Sequence, residues 1–152
     1  MDAVATTIDP KADSLHQVCQ RLHPDCFVCA PGHPFGLKVA FAAAGANQVE
    51  ATFPCGWFWQ GFPGKLHGGI VSSLLDSAMV HALMAKNIEA VTADLQVRFH
   101  LPVKLGTNAQ VIGEFQTSKG PIHYLTARLI QDGSLRASAR ARFFEISAAT
   151  PA

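Results

Sequence analysis

The chain has 152 residues, 12 Lys+Arg against 11 Asp+Glu and a formal net charge of +1, and only 15% of it is charged, against roughly 25% in an ordinary soluble domain. With 49% AVILMFWYC and a mean hydropathy of +0.18, the composition fits one globular domain with a sizeable core. It excludes intrinsic disorder, two ordinary domains and the basic surplus on which generic nucleic-acid binding relies.

From the N-terminus, the first residues lack apolar periodicity and read as a tail over 1–12, followed by a single domain over 13–147 and a short tail over 148–152. That N-terminus has neither a basic nor an apolar leader region, so the expected location is the cytoplasm, with Cys19, Cys26, Cys29 and Cys55 reduced. Leu15, Val18, Cys19 and Leu22 follow helical spacing, with Asp13 or Ser14 as N-cap and Pro24 beyond the end. Pro31, Gly32, Pro34 and Gly36 then make the segment from Cys26 a turn region. Strands are predicted over Leu37–Ala43 and Gln48–Phe53, followed by a loop carrying Trp57, Phe58, Trp59 and Phe62.

From His67 to about Lys86 the chain has no proline, and apolar residues cover nearly every side of a helical wheel, which predicts a buried helix. It is not a membrane span. Its most apolar part, Ile70 to Ala85, carries Asp76 and His81 and falls short of the roughly 20 apolar residues required. The period then switches to two: Val91, Ala93, Leu95, Val97 and Phe99 alternate with polar neighbours. Three more strands are predicted, over 109–117, 122–131 and 135–146, the last two joined by Asp132-Gly133, a type I′ hairpin signal. One antiparallel sheet buries one face, and only the central helix is apolar enough to cover it. The fold is therefore expected to be α+β, a hotdog: a sheet wrapped around one long helix, with a short N-terminal helix. One helix cannot cover the whole sheet and also have its own outer side covered, and few charges are available to clothe the surface. Both features point to a partner subunit.

Asp76 is the first candidate for chemistry. A carboxylate in a nearly all-apolar helix needs compensation, either from solvent or from Ser72 or Ser73 one turn earlier, or it serves as a general base or nucleophile. The second is Lys65-Leu66-His67-Gly68-Gly69, where the glycines let backbone approach a ligand and the helix start offers free N–H groups as an oxyanion hole, unless they simply make a tight turn. Eight residues of helix separate Gly68 from Asp76, about 12 Å along the axis, too far to serve one carbonyl. If two such helices run antiparallel across a twofold axis, Asp76 of one meets the Gly68 end of the other.

The run from Gln60 to Met79, with His67-Gly68-Gly69 and an acidic residue nine positions after His67, resembles hotdog-fold acyl-CoA thioesterases of the phenylacetate-pathway (PaaI-like) branch. Thr92 to Phe99 with Pro102 and Gly106 is similar to that family's next block. Cys26-Phe27-Val28-Cys29 with Phe35-Gly36-Leu37 resembles a subset of it that carries glycine where this chain has Ala30. The resemblance implies hydrolysis of an acyl-CoA thioester, with Asp76 activating water or attacking directly and the Gly68 N–H binding the thioester oxygen. His67 would orient the loop or the sulfur, and Thr92 would help to position water. Gly69, Gln60, Trp59 and Phe62 are candidate substrate-binding residues; Gln60 stands near where some relatives use an asparagine. No cofactor is implied, coenzyme A being part of the substrate. The expected assembly is a homodimer or a dimer of dimers, with no nucleic acid or membrane partner.

The aromatic loop is a candidate acyl pocket, against the more ordinary fate of such rings, packing on the sheet or a dimer interface. Arg98, Arg128, Arg136, Arg140 and Arg142 lie on predicted strands, facing either solvent or the phosphates of coenzyme A. Cys26 and Cys29, with Cys19, Cys55, His23 and His33 as further ligands, permit a zinc reading, but with no second C-x-x-C the expectation is buried structural thiols and no metal. A hotdog hydratase or dehydratase and a non-catalytic acyl-CoA binding module are the competing functions.

Overall fold

The computed structural model describes residues 10–146, so the expected tails fall largely outside the described residues. Helix α1 spans Pro10–Leu22 and places Asp13 and Ser14 inside the helix rather than at its cap. Six strands follow in one antiparallel sheet: β1 Ala42–Ala43, β2 Gln48–Pro54, β3 Ala90–Phe99, β4 Asn108–Lys119, β5 Ile122–Gln131 and β6 Ser134–Glu145. Helix α2, Gly68–Met84, lies between β2 and β3 in sequence and packs on one face of the sheet. The sheet order β1-β2-β4-β5-β6-β3 and the central helix are the expected hotdog. At the β5–β6 turn Asp132 has φ 52° and Gly133 φ 71°, the positive angles of the predicted hairpin.

Two expectations about strands are corrected. The first strand is only two residues long. Leu37 and Val39 instead donate their N–H groups to Phe27 and Val28 carbonyls at 2.9 Å, so this extended stretch is pinned to the Cys26–Cys29 turn rather than to the sheet. The alternation of β3 is broken by a register shift between Thr92 and Asp94. Beyond it Leu95 opposes buried Ala141, facing the helix; before it Thr92 opposes Phe143, which is fully buried, while Val91 opposes exposed Phe144. Directly opposed residues share a face, so the bulge turns Thr92 toward the helix and Val91 outward.

The core forms between α2 and the sheet, from Val71, Leu74, Leu75, Ala78, Met79 and Ala82 against Phe53, Val111, Leu125, Leu129 and Phe143. Close approach to β4 depends on Gly113: a Cβ there would stand 2.2 Å from the Ala78 carbonyl oxygen. The helix is not buried all round. Gly69 is exposed, and Ser72, Ser73, Asp76 and Val80 on the same side are only half-buried, a stripe left partly open among the described residues.

Candidate active site

The site is built from the first half of α2 and what surrounds it. His67 caps the helix: its Nδ1 accepts the Gly69 N–H at 2.8 Å. A neutral imidazole that accepts at Nδ1 carries its proton on Nε2, so a donor remains for a ligand. Its backbone is fixed as well, the N–H donating to the Trp59 carbonyl at 2.9 Å. This arrangement separates the two glycines. The Gly69 N–H is committed to His67, whereas the Gly68 N–H has no acceptor among the described residues and lies at the positive end of a 17-residue helix.

Gly68 opens on a cavity of about 660 Å³ walled by Phe62, Leu66, His67, Val71, Phe99 and Leu101, among others. Phe62 is 80% exposed and Phe99 55% exposed, and the Phe99 ring lies close enough to touch a Cβ at Gly68, at 3.7 Å. Phe99 escaped the sequence reading because alternation along β3 assigned it to the core. A smaller hollow of about 360 Å³ lies on the other side of His67, lined by Phe58, Trp59, Gln60, Gly69, Ile70 and Ser73. Thus Phe62 and Gly68 face one cavity, Trp59, Gln60 and Gly69 the other, and His67 both. Gln60 holds the loop together, its Oε1 accepting the Gly64 N–H at 2.9 Å. Trp59 packs edge-on against Phe27 and Phe58, while Trp57 and Phe58 are largely exposed.

Asp76 lies on the uncovered stripe of α2. The serines do not compensate it: Ser72 and Ser73 donate back to the Gly68 and Gly69 carbonyls, at 3.0 and 2.8 Å. Its partner comes from the sheet, the Thr92 hydroxyl donating to Asp76 Oδ1 at 2.8 Å, a contact that the β3 bulge makes possible. Burial raises the Asp76 pKa above the ordinary carboxylate value, and the Thr92 hydrogen bond and the His23 charge pull it only partly back. A carboxylate with one oxygen anchored and the other free, and with elevated basicity, is suited to accept a proton or to attack a carbonyl. Asp76 does not line the cavity at Gly68.

The arginines divide. Arg136 is buried and structural, donating to the Gln131 and Pro102 carbonyls at 3.3 and 3.1 Å. Arg142 pairs with Asp94 at 3.1 Å, and Arg98, Arg128 and Arg140 border a shared hollow on the sheet. Among the cysteines, Cys55 is buried alone near Gln131, and the His33 Nδ1 accepts the Phe35 N–H, so neither joins a ligand group. Among the described residues two groups have metal-ligand spacing, Cys19–Cys29–His81 and His23–Cys26–Cys29.

Residues 63–134 match the thioesterase superfamily, a span that holds the His67-Gly68-Gly69 cap, α2, Thr92 and the sheet through the β5–β6 turn. No curated protein matches the sequence. Among solved structures, the PaaI protein of the phenylacetic acid degradation operon of E. coli aligns with a TM-score of 0.75 at 14% identity, over 90% of this chain and 96% of that one. A Streptococcus mutans protein bound to acetyl CoA aligns with a TM-score of 0.67 at 16% identity, over 72% and 89% of the two chains. A third, a thioesterase superfamily protein, aligns with a TM-score of 0.73 at 24% identity over 77% of this chain, which spans 58% of that protein's length. At these identities the likeness is one of fold.

Proposed function

We propose that this chain is a hotdog protein of the thioesterase superfamily that hydrolyses acyl-CoA thioesters at sites shared between two copies of itself. The observation that carries the proposal is the division of the machinery along α2. A free N–H at Gly68 faces an apolar cavity, and a carboxylate of raised pKa, held by Thr92, lies on a face that the described residues only half cover. They are about 12 Å apart along the helix. One thioester carbonyl requires both within a few ångströms. Antiparallel pairing of two α2 helices satisfies this twice, bringing Asp76 of one protomer to the Gly68 cavity of the other. The exposed apolar residues Val91, Phe99, Leu101 and Phe144 then supply surface that a partner can bury.

In the proposed reaction the Gly68 N–H, with the helix dipole behind it, stabilises the charge that develops on the thioester oxygen. Asp76 supplies the carboxylate in one of two ways. As a base it takes a proton from water as the water oxygen bonds to the carbonyl carbon; as a nucleophile it forms a mixed anhydride that water then opens. In both, the carbon–sulfur bond breaks, coenzyme A leaves as thiolate and takes up a proton, and the free acid forms. The His67 Nε2–H, on the cavity wall beside Gly68, is the donor proposed for the departing sulfur. The cavity, mostly apolar, fits an acyl group or the pantetheine arm. The acetyl CoA in the Streptococcus mutans neighbour agrees with a ligand of this class.

The test is thiol release from a panel of acyl-CoA esters, short to medium straight-chain plus phenylacetyl and benzoyl, by wild type and Asp76→Asn. Loss of at least about 100-fold in turnover with the fold intact supports the reading, since positioned acid–base groups contribute about 10²–10⁴. No thiol release by wild type, together with equal acyl-CoA binding by both proteins, replaces it with a binding module. Solvent oxygen-18 entering the enzyme carboxylate in a single turnover supports a nucleophile; its absence favours a base.

A further inference from the structure

We infer that Cys19, Cys29 and His81, completed by His23, form a closed tetrahedral site for a zinc ion that ties α1 and the Cys26–Cys29 turn to α2. The site is separate from the Gly68 cavity and does not depend on the chemistry proposed there.

Three distances between donor atoms match the edges a zinc tetrahedron imposes. Zn–S bonds of about 2.3 Å and Zn–N bonds of about 2.0 Å at tetrahedral angles hold two sulfurs about 3.8 Å apart and a sulfur and a nitrogen about 3.6 Å apart. In the chain, Cys19 Sγ stands 3.6 Å from Cys29 Sγ and 3.4 Å from His81 Nε2, and Cys29 Sγ stands 3.6 Å from His23 Nδ1. Cys19, Cys29 and His81 hold their donor atoms within 4.8 Å of one another although Cys19 and His81 are 62 residues apart in sequence, and His23, which reaches Cys29, closes the fourth position by a side-chain shift toward them.

His81 is the residue hardest to explain as a packing element. It is 2% exposed on an apolar helix. Its Nδ1 donates to the Ser77 carbonyl at 2.7 Å, which leaves Nε2 as a bare lone pair, and that lone pair faces the sulfurs. A second nitrogen bonded to a backbone carbonyl is the device that fixes tautomer and ring direction in metal-binding histidines. The Phe41 ring stacked on His81 at 4.5 Å holds its orientation from one face. Packing alone asks only for an apolar side chain here, at no desolvation cost.

The remaining ligands are positioned by local structure. The Cys19 carbonyl accepts the His23 N–H at 2.7 Å, a helical contact that sets these two side chains one turn apart on the same side of α1 and its extension. His23 also lines, with Cys19 and Cys29, a cavity of about 290 Å³, which provides an entry path. Cys26 does not line that cavity, and its sulfur accepts the Val28 N–H at 3.4 Å, so it shapes the turn that presents Cys29. Two thiolates balance the charge of a divalent ion, so the half-buried site carries no net charge. Two sulfurs with two imidazoles favour zinc over the oxygen-seeking cations.

The test uses the full chain purified under reductant without chelator. Elemental analysis is expected to find about one zinc per chain. Cobalt titrated into protein stripped of zinc is expected to give intense tetrahedral visible bands with a thiolate-to-cobalt charge-transfer band. Bound zinc is expected to shield Cys19 and Cys29, but not Cys26, from alkylation until a chelator is added. Cys19→Ser and His23→Ala are expected to weaken zinc binding by more than about 100-fold, beyond the cost of losing a supporting hydrogen bond, while Cys26→Ser and Cys55→Ser retain it. Folded wild type that takes up no zinc, cobalt spectra without the charge-transfer band, or loss of metal in Cys26→Ser equal to that in Cys19→Ser would each overturn the assignment. The spectra and the alkylation are read on wild type, so a variant that fails to fold does not remove the test.

Discussion

Replacing Gly113 by alanine tests how tightly the helix is set on the sheet. The new Cβ would lie 2.2 Å from the Ala78 carbonyl oxygen, 2.4 Å from its carbon and 3.0 Å from the Met79 nitrogen, all of them helix backbone. Ordinary contact begins at 3.4 Å, so α2 and β4 must separate by about 1 Å. Gly113 is held in register between Val49 and Ala127, both buried, so β4 moves only by carrying β2 and β5 with it. Overpacking of this kind costs about 1–3 kcal/mol, which in a domain of this size lowers Tm by roughly 3–10 °C. Ala78 is two residues from Asp76, so the same displacement stretches the 2.8 Å hydrogen bond from Thr92, and a misplacement of about 1 Å can cost about 100-fold in rate. Calorimetry and thiol release from an acyl-CoA ester read the two effects separately. A Gly113→Ala protein with unchanged Tm and turnover would refute the close helix–strand contact and its role in setting Asp76.

Three further outcomes are expected. Activity requires ionised Asp76, so turnover falls as pH drops through a pKa above the ordinary carboxylate range, and Thr92→Val, which removes the hydroxyl donor, moves that acid limb to still higher pH; pH–rate profiles of both proteins check this. The fold favours protonated Asp76, so its stabilising contribution is full below the ordinary carboxylate pKa and lost as pH rises through the raised value. At neutral pH the charge is therefore a cost, and Asp76→Asn melts no lower than wild type in a thermal scan. Gln131→Leu strips the partners from the Lys104 N–H and the Lys104 and Thr107 carbonyls, which its side chain now meets at 2.8, 2.9 and 3.2 Å. Denaturant unfolding is expected to show a loss of about 2–4 kcal/mol, and because these bonds brace the loop whose Pro102 and Val103 wall the cavity, KM rises as well.

What could be read in the sequence was what local geometry decides. His67, Gly68 and Asp76 belong to one helix and its cap, so their separation follows from the rise per residue alone. The Asp132-Gly133 turn likewise needs only two residues. Thr92 was accessible only through family likeness, because strict alternation places it beside Asp94 and Gln96, away from the helix; the bulge that reverses its face leaves no mark in a hydropathy pattern. The Leu37–Phe41 stretch looks like a strand because both fates, sheet or pinned loop, bury alternate residues. Its partner, the turn at Phe27 and Val28, is a tertiary choice. His81 was read only as a mark against a membrane span, since nothing local announces that Cys19 and Cys29 will meet it.

The stripe along α2 connects these points. An all-apolar helical wheel predicts a helix covered on every side, yet among the described residues Gly69 stays exposed and Ser72, Ser73, Asp76 and Val80 are only half-covered. Ser72 and Ser73 return their hydroxyls to carbonyls of the same helix, so the stripe is small and nearly self-satisfied in its hydrogen bonds apart from one carboxylate oxygen. Such a surface gains little from water and lets another backbone approach closely. In the proposed dimer this accounts for a carboxylate that one chain holds only half-buried: a second helix laid across the stripe desolvates Asp76 further and raises its basicity in the step that brings it to the partner's cavity. Assembly and activation then become one event, so a variant that blocks pairing, such as Val80→Lys, is expected to lose activity in proportion to the monomer fraction measured by sedimentation. Full turnover by a monomer would separate the two.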